Sequence, residues 1–220
     1  MAVYRISKSF EKRGKVSERA AAVMRMFGVT ADRLGENGFG VNCQVEINDG
    51  DVVYITGPSG AGKSVLLREL ERAIPASERV NLGRVKLPKD KSLIDCVARP
   101  QVDGDVLGAL RLLSTAGLND VFCIVNDARN LSDGQKWRLR LAMAIASGKK
   151  FIFADEFCCE LDRISAAVIS YNIQRHAKRE GVTFILAGAS EDILADLRPD
   201  VIVDRELSGE TQVIYKNGKV

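Results

Sequence analysis

No stretch of this chain approaches the run of about 18 apolar residues that a membrane-spanning helix needs, so no transmembrane helix is expected. Met1 to Lys15 lacks the apolar stretch of a secretory signal. The five cysteines are odd in number and include no C-x-x-C pair, which fits a reduced, cytoplasmic protein. Neither sign of charge dominates: the formal net charge of +3 argues for no particular partner. Internal repeats and low-complexity linkers are absent. The only histidine, His176, falls in a helical stretch and reads as a packing or surface residue. What remains is 220 residues with 46% hydrophobic content. That is enough for a core and suits one α/β domain, or one domain with a small appendage.

The most informative stretch is Gly57-Pro58-Ser59-Gly60-Ala61-Gly62-Lys63-Ser64. It fits the phosphate-cradling pattern of a glycine, four free positions, then Gly-Lys-Ser/Thr. The compact β-prone run Val52 to Thr56 precedes it, and Val65 to Leu70 continues as a helix. Glycines let backbone N–H groups converge on phosphate oxygens without Cβ clashes, at a helix N-terminus that favours anions. Lys63 is placed to reach the β- and γ-phosphates of a nucleotide, and the Ser64 hydroxyl to ligate Mg²⁺. Val65, the first residue after the motif, completes the expected nucleotide-contacting set. The Lys63 ammonium is expected to have no structural partner when no ligand is bound.

The stretch before the loop is less informative. Val3-Tyr4-Arg5-Ile6 reads as a short strand. Phe10 to Ser17 carries Lys12, Arg13 and Lys15 around Gly14 and reads as a solvated basic loop. Glu18 to Phe27 puts Ala20, Val23, Met24 and Phe27 on one helical face, which is expected to pack into the core. Gly35, Gly38 and Gly40 mark a loop. Cys43, Val45 and Ile47 alternate as a strand, and Asn48 to Asp51 turns into the strand before the phosphate loop.

Beyond the first helix, Pro75 breaks the pattern. Val80 to Leu87 is expected to be a strand interrupted at Gly83. A charged loop follows from Pro88 to Lys91, then a short helix from Ser92 that is ended by Pro100. Val106 to Thr115 is a better helix, closed by Gly117. Ser132 and Gln135 have capping-box spacing ahead of a strong helix from Trp137 to Ala146. Ile164 to Glu180 is helical. Thr183–Ala187, Val201–Val203 and Val213–Tyr215 read as strands, and Lys216 to Lys219 carries a turn signal. Strands separated by helices predict a largely parallel sheet covered on both faces.

The apolar strand Phe151 to Ala154 ends in Asp155-Glu156. Downstream of a phosphate loop, two carboxylates here have separate uses. Asp155 is suited to hold Mg²⁺ directly or through water, beside Ser64. Glu156 is suited to orient and deprotonate an attacking water. Cys158 and Cys159 are adjacent, with no third ligand nearby, and read as small loop residues rather than a metal site.

Taken in order, Gly57–Ser64, Leu131–Gln135 and Phe151–Glu156 resemble the Walker A, signature and Walker B motifs of the ABC-type ATPases. Glu160-Leu161-Asp162 resembles the D-loop that follows Walker B. The resemblance spans roughly residues 41–205, and the signature makes it specific where Walker A alone would not. Phe153 to Asp200 also looks similar to a soluble ABC-type ATPase family, some members of which are fused to an acetyltransferase domain.

The resemblance implies an α/β P-loop NTPase fold with a mostly parallel sheet and an antiparallel N-terminal portion. It also implies a short helical subdomain at approximately 88–138 within a single domain spanning 1–220. The implied ligands are ATP and Mg²⁺, with Ser64 and Asp155 as metal ligands and Glu156 as the catalytic base. Two copies are implied to pair head to tail around two ATP molecules. Ser132, Gly134 and Gln135 of one copy would then face the γ-phosphate held by Lys63 of the other.

Several positions depart from the family pattern. Asp133 replaces the first glycine of the signature and puts a carboxylate near a phosphate site, unless its side chain points away. No glutamine ends the second strand around Leu87 to Asp95; Gln101 is the nearest. Ala189 or Ser190 occupies the place of the switch histidine. The adenine-stacking aromatic is unassigned, with Phe39 and Tyr4 as candidates. These gaps predict slow or altered hydrolysis rather than lost ATP binding. Three function classes follow: a soluble mechanical switch acting on protein or nucleic acid, an ATP-hydrolysing subunit of a membrane transporter, and a degenerate nucleotide-binding module. The short helical subdomain and the missing glutamine favour the first over the second.

Overall fold

The computed structural model describes residues 2–10, 16–29, 39–98 and 106–216. Strands β1 (Ala2–Phe10) and β2 (Phe39–Ile47) form a two-stranded antiparallel sheet. Six further strands form the main sheet: β3 (Val52–Thr56), β4 (Arg79–Asn81), β5 (Phe151–Ala154), β6 (Thr183–Ala187), β7 (Val201–Arg205) and β8 (Thr211–Tyr215). Their order is β4-β5-β6-β3-β7-β8, and every pairing is parallel except β7 with β8. Every residue of β3, β5 and β6 is buried, as a parallel sheet covered on both faces requires.

The helices of the described residues are α1 (Glu18–Met26), α2 (Lys63–Ala73), α3 (Leu93–Val97), α4 (Val106–Thr115), α5 (Val121–Ile124), α6 (Asp133–Ala146), α7 (Arg163–Glu180) and α8 (Leu194–Leu197). Side chains alternate across a strand, so β3 feeds two cores. Val52 and Tyr54 join Leu113, Trp137, Ile169 and Phe184 on one face. Val53 and Ile55 join Val45, Leu66, Leu70 and Val203 on the other. Because the central strands are parallel, the loops leaving β3, β5 and β6 emerge at one edge. That edge is where ligands of open α/β sheets bind.

Several local expectations need correction. The stripe on α1 does not pack into the core: no residue of α1 is buried, and Val23 and the flanking Phe27 are 53% and 77% exposed. Amphipathic spacing marks a face, but not what covers it. The expected strand Val80 to Leu87 is only Arg79–Asn81. The Asn81 side chain then accepts from the Gly83 N–H and folds Leu82–Arg84 into a 3-10 turn. The N-terminal strand is longer than expected, and Gly40 lies in β2 rather than in a loop. The basic run Lys12 to Lys15, Gly35, Gly38, Pro100, Gln101 and the turn at Asn217 to Lys219 lie outside the described residues, as does the side chain of Phe39.

Other local readings hold. Ser132 Oγ accepts from the Gln135 N–H at 3.2 Å while Gln135 Oε1 accepts from the Ser132 N–H at 2.9 Å, the reciprocal capping box read from their spacing. Helix α4 has the expected ends, and Gly117, at φ 76°, lies just past it.

Candidate functional site

The phosphate loop links β3 to α2. Gly60 and Gly62 hold φ values of 86° and 85°, a region that side-chain-bearing residues rarely adopt. Gly57 is glycine for closeness: a Cβ there would lie 2.1 Å from the Arg205 carbonyl oxygen. Gly62 caps α2, so the loop's N–H groups and the helix N-terminus face the same space.

The Lys63 ammonium is not free in this state, contrary to expectation. It donates to the carbonyl oxygens of Gly57 at 2.7 Å and Pro58 at 2.8 Å, which folds it back over its own loop. A cation bonded only to carbonyls keeps its full charge for an incoming anion.

Asp155 and Glu156 follow β5, which is separated from β3 by β6. The Ser64 hydroxyl nevertheless reaches Asp155 Oδ1 at 3.0 Å. The two form a pair of hard oxygen donors of the kind Mg²⁺ prefers. Their residue types and closeness therefore fit the metal that the family implies. Among the described residues no cluster of three or more histidine, cysteine or acidic side chains competes as a metal site.

Glu156 has φ 51° and Cys158 φ 61°, two left-handed non-glycine residues in one short loop. Such conformations cost of order 1–3 kcal/mol each and persist where surrounding contacts over-determine them. Those contacts are visible here. The Glu156 N–H donates to Asp155 Oδ1 at 3.1 Å, and the Phe157 N–H donates to the Ala187 carbonyl at 2.7 Å. The Phe157 ring packs on Trp137 of α6 with centroids 5.7 Å apart. Cys158 is buried, and burial pushes its thiol pKa up, so it stays neutral and is a poor metal ligand. Cys159 is exposed with its sulfur 4.0 Å from Glu156 Oε2; partial desolvation of its thiol, then the nearby carboxylates, push its pKa up as well.

These parts line one cavity of about 870 Å³. Ser59, Gly60, Gly62, Lys63, Ser64 and Val65 meet Asp155 and Glu156 there, with residues 187–190 closing a further wall. Gly57, Pro58 and Ala61 shape the loop without lining the cavity. Ser132, Gly134 and Gln135 do not line it either; they stand at the start of α6, with Ser132 exposed and Gly134 and Gln135 half-buried. Asp133, with its side chain 84% exposed, pairs with Lys136 at 3.1 Å. Gly134 is tightly backed, since a Cβ would come 3.1 Å from the Glu160 carbonyl oxygen.

At the place of the missing switch histidine, a side chain from β3 supports the backbone. The buried Tyr54 hydroxyl donates to the Ser190 carbonyl at 2.7 Å. Gly188 leaves room for it, because a Cβ there would stand 2.5 Å from that hydroxyl. Sequence reading missed Tyr54, whose only signal is a phenol inside an otherwise aliphatic strand. His176 is a packing residue: it is buried edge-on against Phe184, and burial lowers its pKa. Tyr4 packs against the second core and does not line the cavity.

A sheet with a strand between the phosphate-loop strand and the carboxylate strand, and a cavity joining their loops, defines a P-loop NTPase. Comparison with known proteins narrows the class. The phosphonates import ATP-binding protein PhnC of Hyphomonas neptunium is 27% identical over 201 residues, covering 73% of this chain and 75% of that protein. The methionine import ATP-binding protein MetN of Mannheimia succiniciproducens is 26% identical over 216 residues, covering 81% of this chain and 61% of its own length. A dimeric ATP-binding cassette in a post-hydrolysis state, bound to ADP and Pi, superposes with a TM-score of 0.65 at 19% identity. That match covers 82% of this chain and 93% of the cassette. No family model matches the chain. Motif order, fold and relatives agree that the chain is an ATP-binding cassette, the nucleotide-binding domain of the ABC-type ATPases. Among its described residues no helix is long and apolar enough to cross a membrane.

Proposed function

We propose that this domain is a soluble, cytoplasmic, ATP-driven mechanical switch that pairs head to tail with a second copy around two Mg-ATP and separates on hydrolysis. The observation that supports this reading is the convergence of Lys63, Ser64, Asp155 and Glu156 on one cavity. The loop N–H groups and the Lys63 ammonium hold the triphosphate. Ser64 and Asp155 would hold Mg²⁺, which would supply positive charge beside the phosphoryl group. Glu156, fixed by its strained backbone, orients a water and takes its proton. The start of α6, where Ser132 is exposed and Gly134 half-buried, offers a helix N-terminus to the γ-phosphate of the other copy. Turnover is slow, because the switch position lacks an imidazole.

The contacts between α6 and the carboxylate loop suit such a switch. Trp137 on Phe157, and Gly134 against Glu160 and Leu161, link the partner-facing helix to the loop that carries Glu156. A second reading, the ATP-binding subunit of a membrane transporter, is favoured by the phosphonates import and methionine import proteins among its relatives. The exposed apolar Leu107, Val121, Phe122 and Val125 of the helical stretch also suit a docked partner.

Two variants test the pairing mechanism. Glu156→Gln keeps the shape and loses the base, so hydrolysis should fall by roughly 10²- to 10⁴-fold while ATP still binds. This variant should accumulate as an ATP-bound dimer on size-exclusion chromatography. Ser132→Arg puts bulk and flexibility at the exposed helix start. It should bind ATP as a monomer and show no ATP-dependent dimer in sedimentation. Wild-type turnover in the first, or normal dimerisation in the second, removes the corresponding role. Copurification with a membrane protein would favour the transporter reading, and stimulation by nucleic acid the switch.

A further inference from the structure

The largest fully buried side chain among the described residues is Arg205, the last residue of β7. Its guanidinium gathers three segments of chain. Nε donates to the Ala61 carbonyl in the phosphate loop at 3.1 Å. Nη2 donates to the Gly40 carbonyl at the start of β2 at 3.2 Å. Nη1 donates to the Gly209 carbonyl at 2.9 Å and to Thr211 Oγ1 at 2.6 Å, across the β7–β8 turn. The backbone of the same residue lies under the first glycine of the loop. The β3–β7 register pairs Thr56 with Asp204, which leaves the Arg205 carbonyl where a Gly57 Cβ would be. One residue therefore braces both ends of the turn from Gly57 to Ala61.

We infer that Arg205 is a positioning residue for the polyphosphate: it fixes the Ala61–Gly62 peptide and strengthens that peptide as a phosphate donor. In a planar trans peptide the N–H points opposite to the C=O. Holding the Ala61 carbonyl from behind turns the Gly62 N–H the other way, and Gly62 lines the cavity. A charged donor on the carbonyl also polarises the amide, so the same N–H gives a stronger bond to an anion. The guanidinium thus adds positive potential behind the phosphate subsite without touching the nucleotide. Its second arm, on Gly40, fixes the start of β2 relative to the phosphate loop. A lysine lacks the planar fork needed to hold all these acceptors at once.

This inference rests on the phosphate loop binding nucleotide through Lys63, so Lys63→Ala is measured beside it. Titration calorimetry with ATP, ADP and inorganic tripolyphosphate is run on wild type, Arg205→Met, Arg205→Lys and Lys63→Ala. Arg205→Met should weaken all three ligands by roughly 10- to 100-fold, the weight of a hydrogen bond to a charged group. Arg205→Lys should recover part of that loss. A purely structural brace would lower the melting temperature of the ligand-free protein while leaving affinity for tripolyphosphate unchanged, and that result overturns the inference. Loss for ATP without loss for tripolyphosphate also overturns it, by assigning the effect to the Gly40 arm. If Arg205→Met does not fold, Arg205→Lys decides: all three affinities within about twofold of wild type reject the role. Lys63→Ala that binds like wild type rejects the phosphate-loop reading itself. Loss in Lys63→Ala with unchanged Arg205 variants rejects only the inference.

Discussion

The phosphate loop and the switch loop leave neighbouring strands, β3 and β6, at the same edge of the sheet, yet they are built in opposite ways. In the phosphate loop the chemistry is written into the loop itself: three glycines with left-handed or otherwise constrained backbones, a lysine and a serine. In the switch loop, residues 188–190 carry no charged or imidazole group, and the order comes from Tyr54 on the neighbouring strand. A loop that must bind a polyanion needs particular residues at particular places. A loop that must only hold a wall in position can be supported from below by a residue far away in sequence. The first kind is readable as a motif, while the second becomes visible only when the strands are assembled.

The largest effect separating the two loops should come from Lys63→Ala. Losing the ammonium removes both the charge that meets the phosphates and the bonds to the Gly57 and Pro58 carbonyls. Affinity for Mg-ATP in calorimetry should fall by about 100-fold or more, given that a hydrogen bond between charged groups is roughly twice as strong as a neutral one. The ligand-free fold should survive, because those carbonyls can turn to water. Unchanged ATP affinity with native circular dichroism would show that the phosphate loop is not the binding element.

Tyr54→Phe should act on the other loop and more weakly. The phenol is buried, and burial pushes its pKa up, so it is a neutral donor throughout the working pH range. Removing its hydroxyl leaves the Ser190 carbonyl without that bond, costing about 1–3 kcal/mol if no water replaces it. The expected result is a melting temperature lower by several degrees and turnover reduced several-fold, with ATP affinity within about twofold of wild type. A matching fall in ATP affinity would mean that the two loops are not separable, and the contrast drawn above would fail.

The legibility of this chain follows the same division. Where a local motif dictated the ends of an element, the sequence was enough. The capping box at Ser132 and Gln135, the helix Val106–Thr115 and the buried strand Phe151–Ala154 appear with the ends their residues imply. The approach of Ser64 to Asp155, 91 residues apart, was readable only because the motif order fixed the family. Arg205 carried no local signal, since a charged residue at a strand end normally faces water. Burial is possible here because carbonyls from three segments and the Thr211 hydroxyl accept its protons, a convergence that no window of sequence contains. The α1 stripe misled for the converse reason: Val23 and Phe27 have the spacing of a packed face, but the fold brings nothing among the described residues to cover them. Ligand chemistry alone leaves Lys63 without a partner; the loop's own carbonyls, of Gly57 and Pro58, supply one.

The smallest effect concerns Asp133, where the sequence departs from the signature glycine. Its carboxylate is 84% exposed and pairs with Lys136, one turn along α6. An acidic residue in the first turn suits the helix dipole by about 0.3–1 kcal/mol, and an exposed pair adds little. Glycine at a helix position gives up a further 0.5–1 kcal/mol or so relative to alanine. Asp133→Gly should therefore lower the melting temperature by only a few degrees and leave ATP binding to the single domain unchanged. Its effect should appear when two copies meet. If the start of α6 faces the γ-phosphate of the other copy, removing a negative charge there relieves repulsion of about 0.5 kcal/mol at each of the two contacts in a dimer, for a solvated approach of about 8 Å. The ATP-dependent dimer should then tighten by roughly three- to tenfold in sedimentation equilibrium, and more at low salt, where screening is weaker. Salt-independent affinity equal to that of wild type would place Asp133 away from the phosphate. That outcome would move the partner-facing surface off the helix start and leave the phosphate loop as the part of the chain whose sequence speaks for its function.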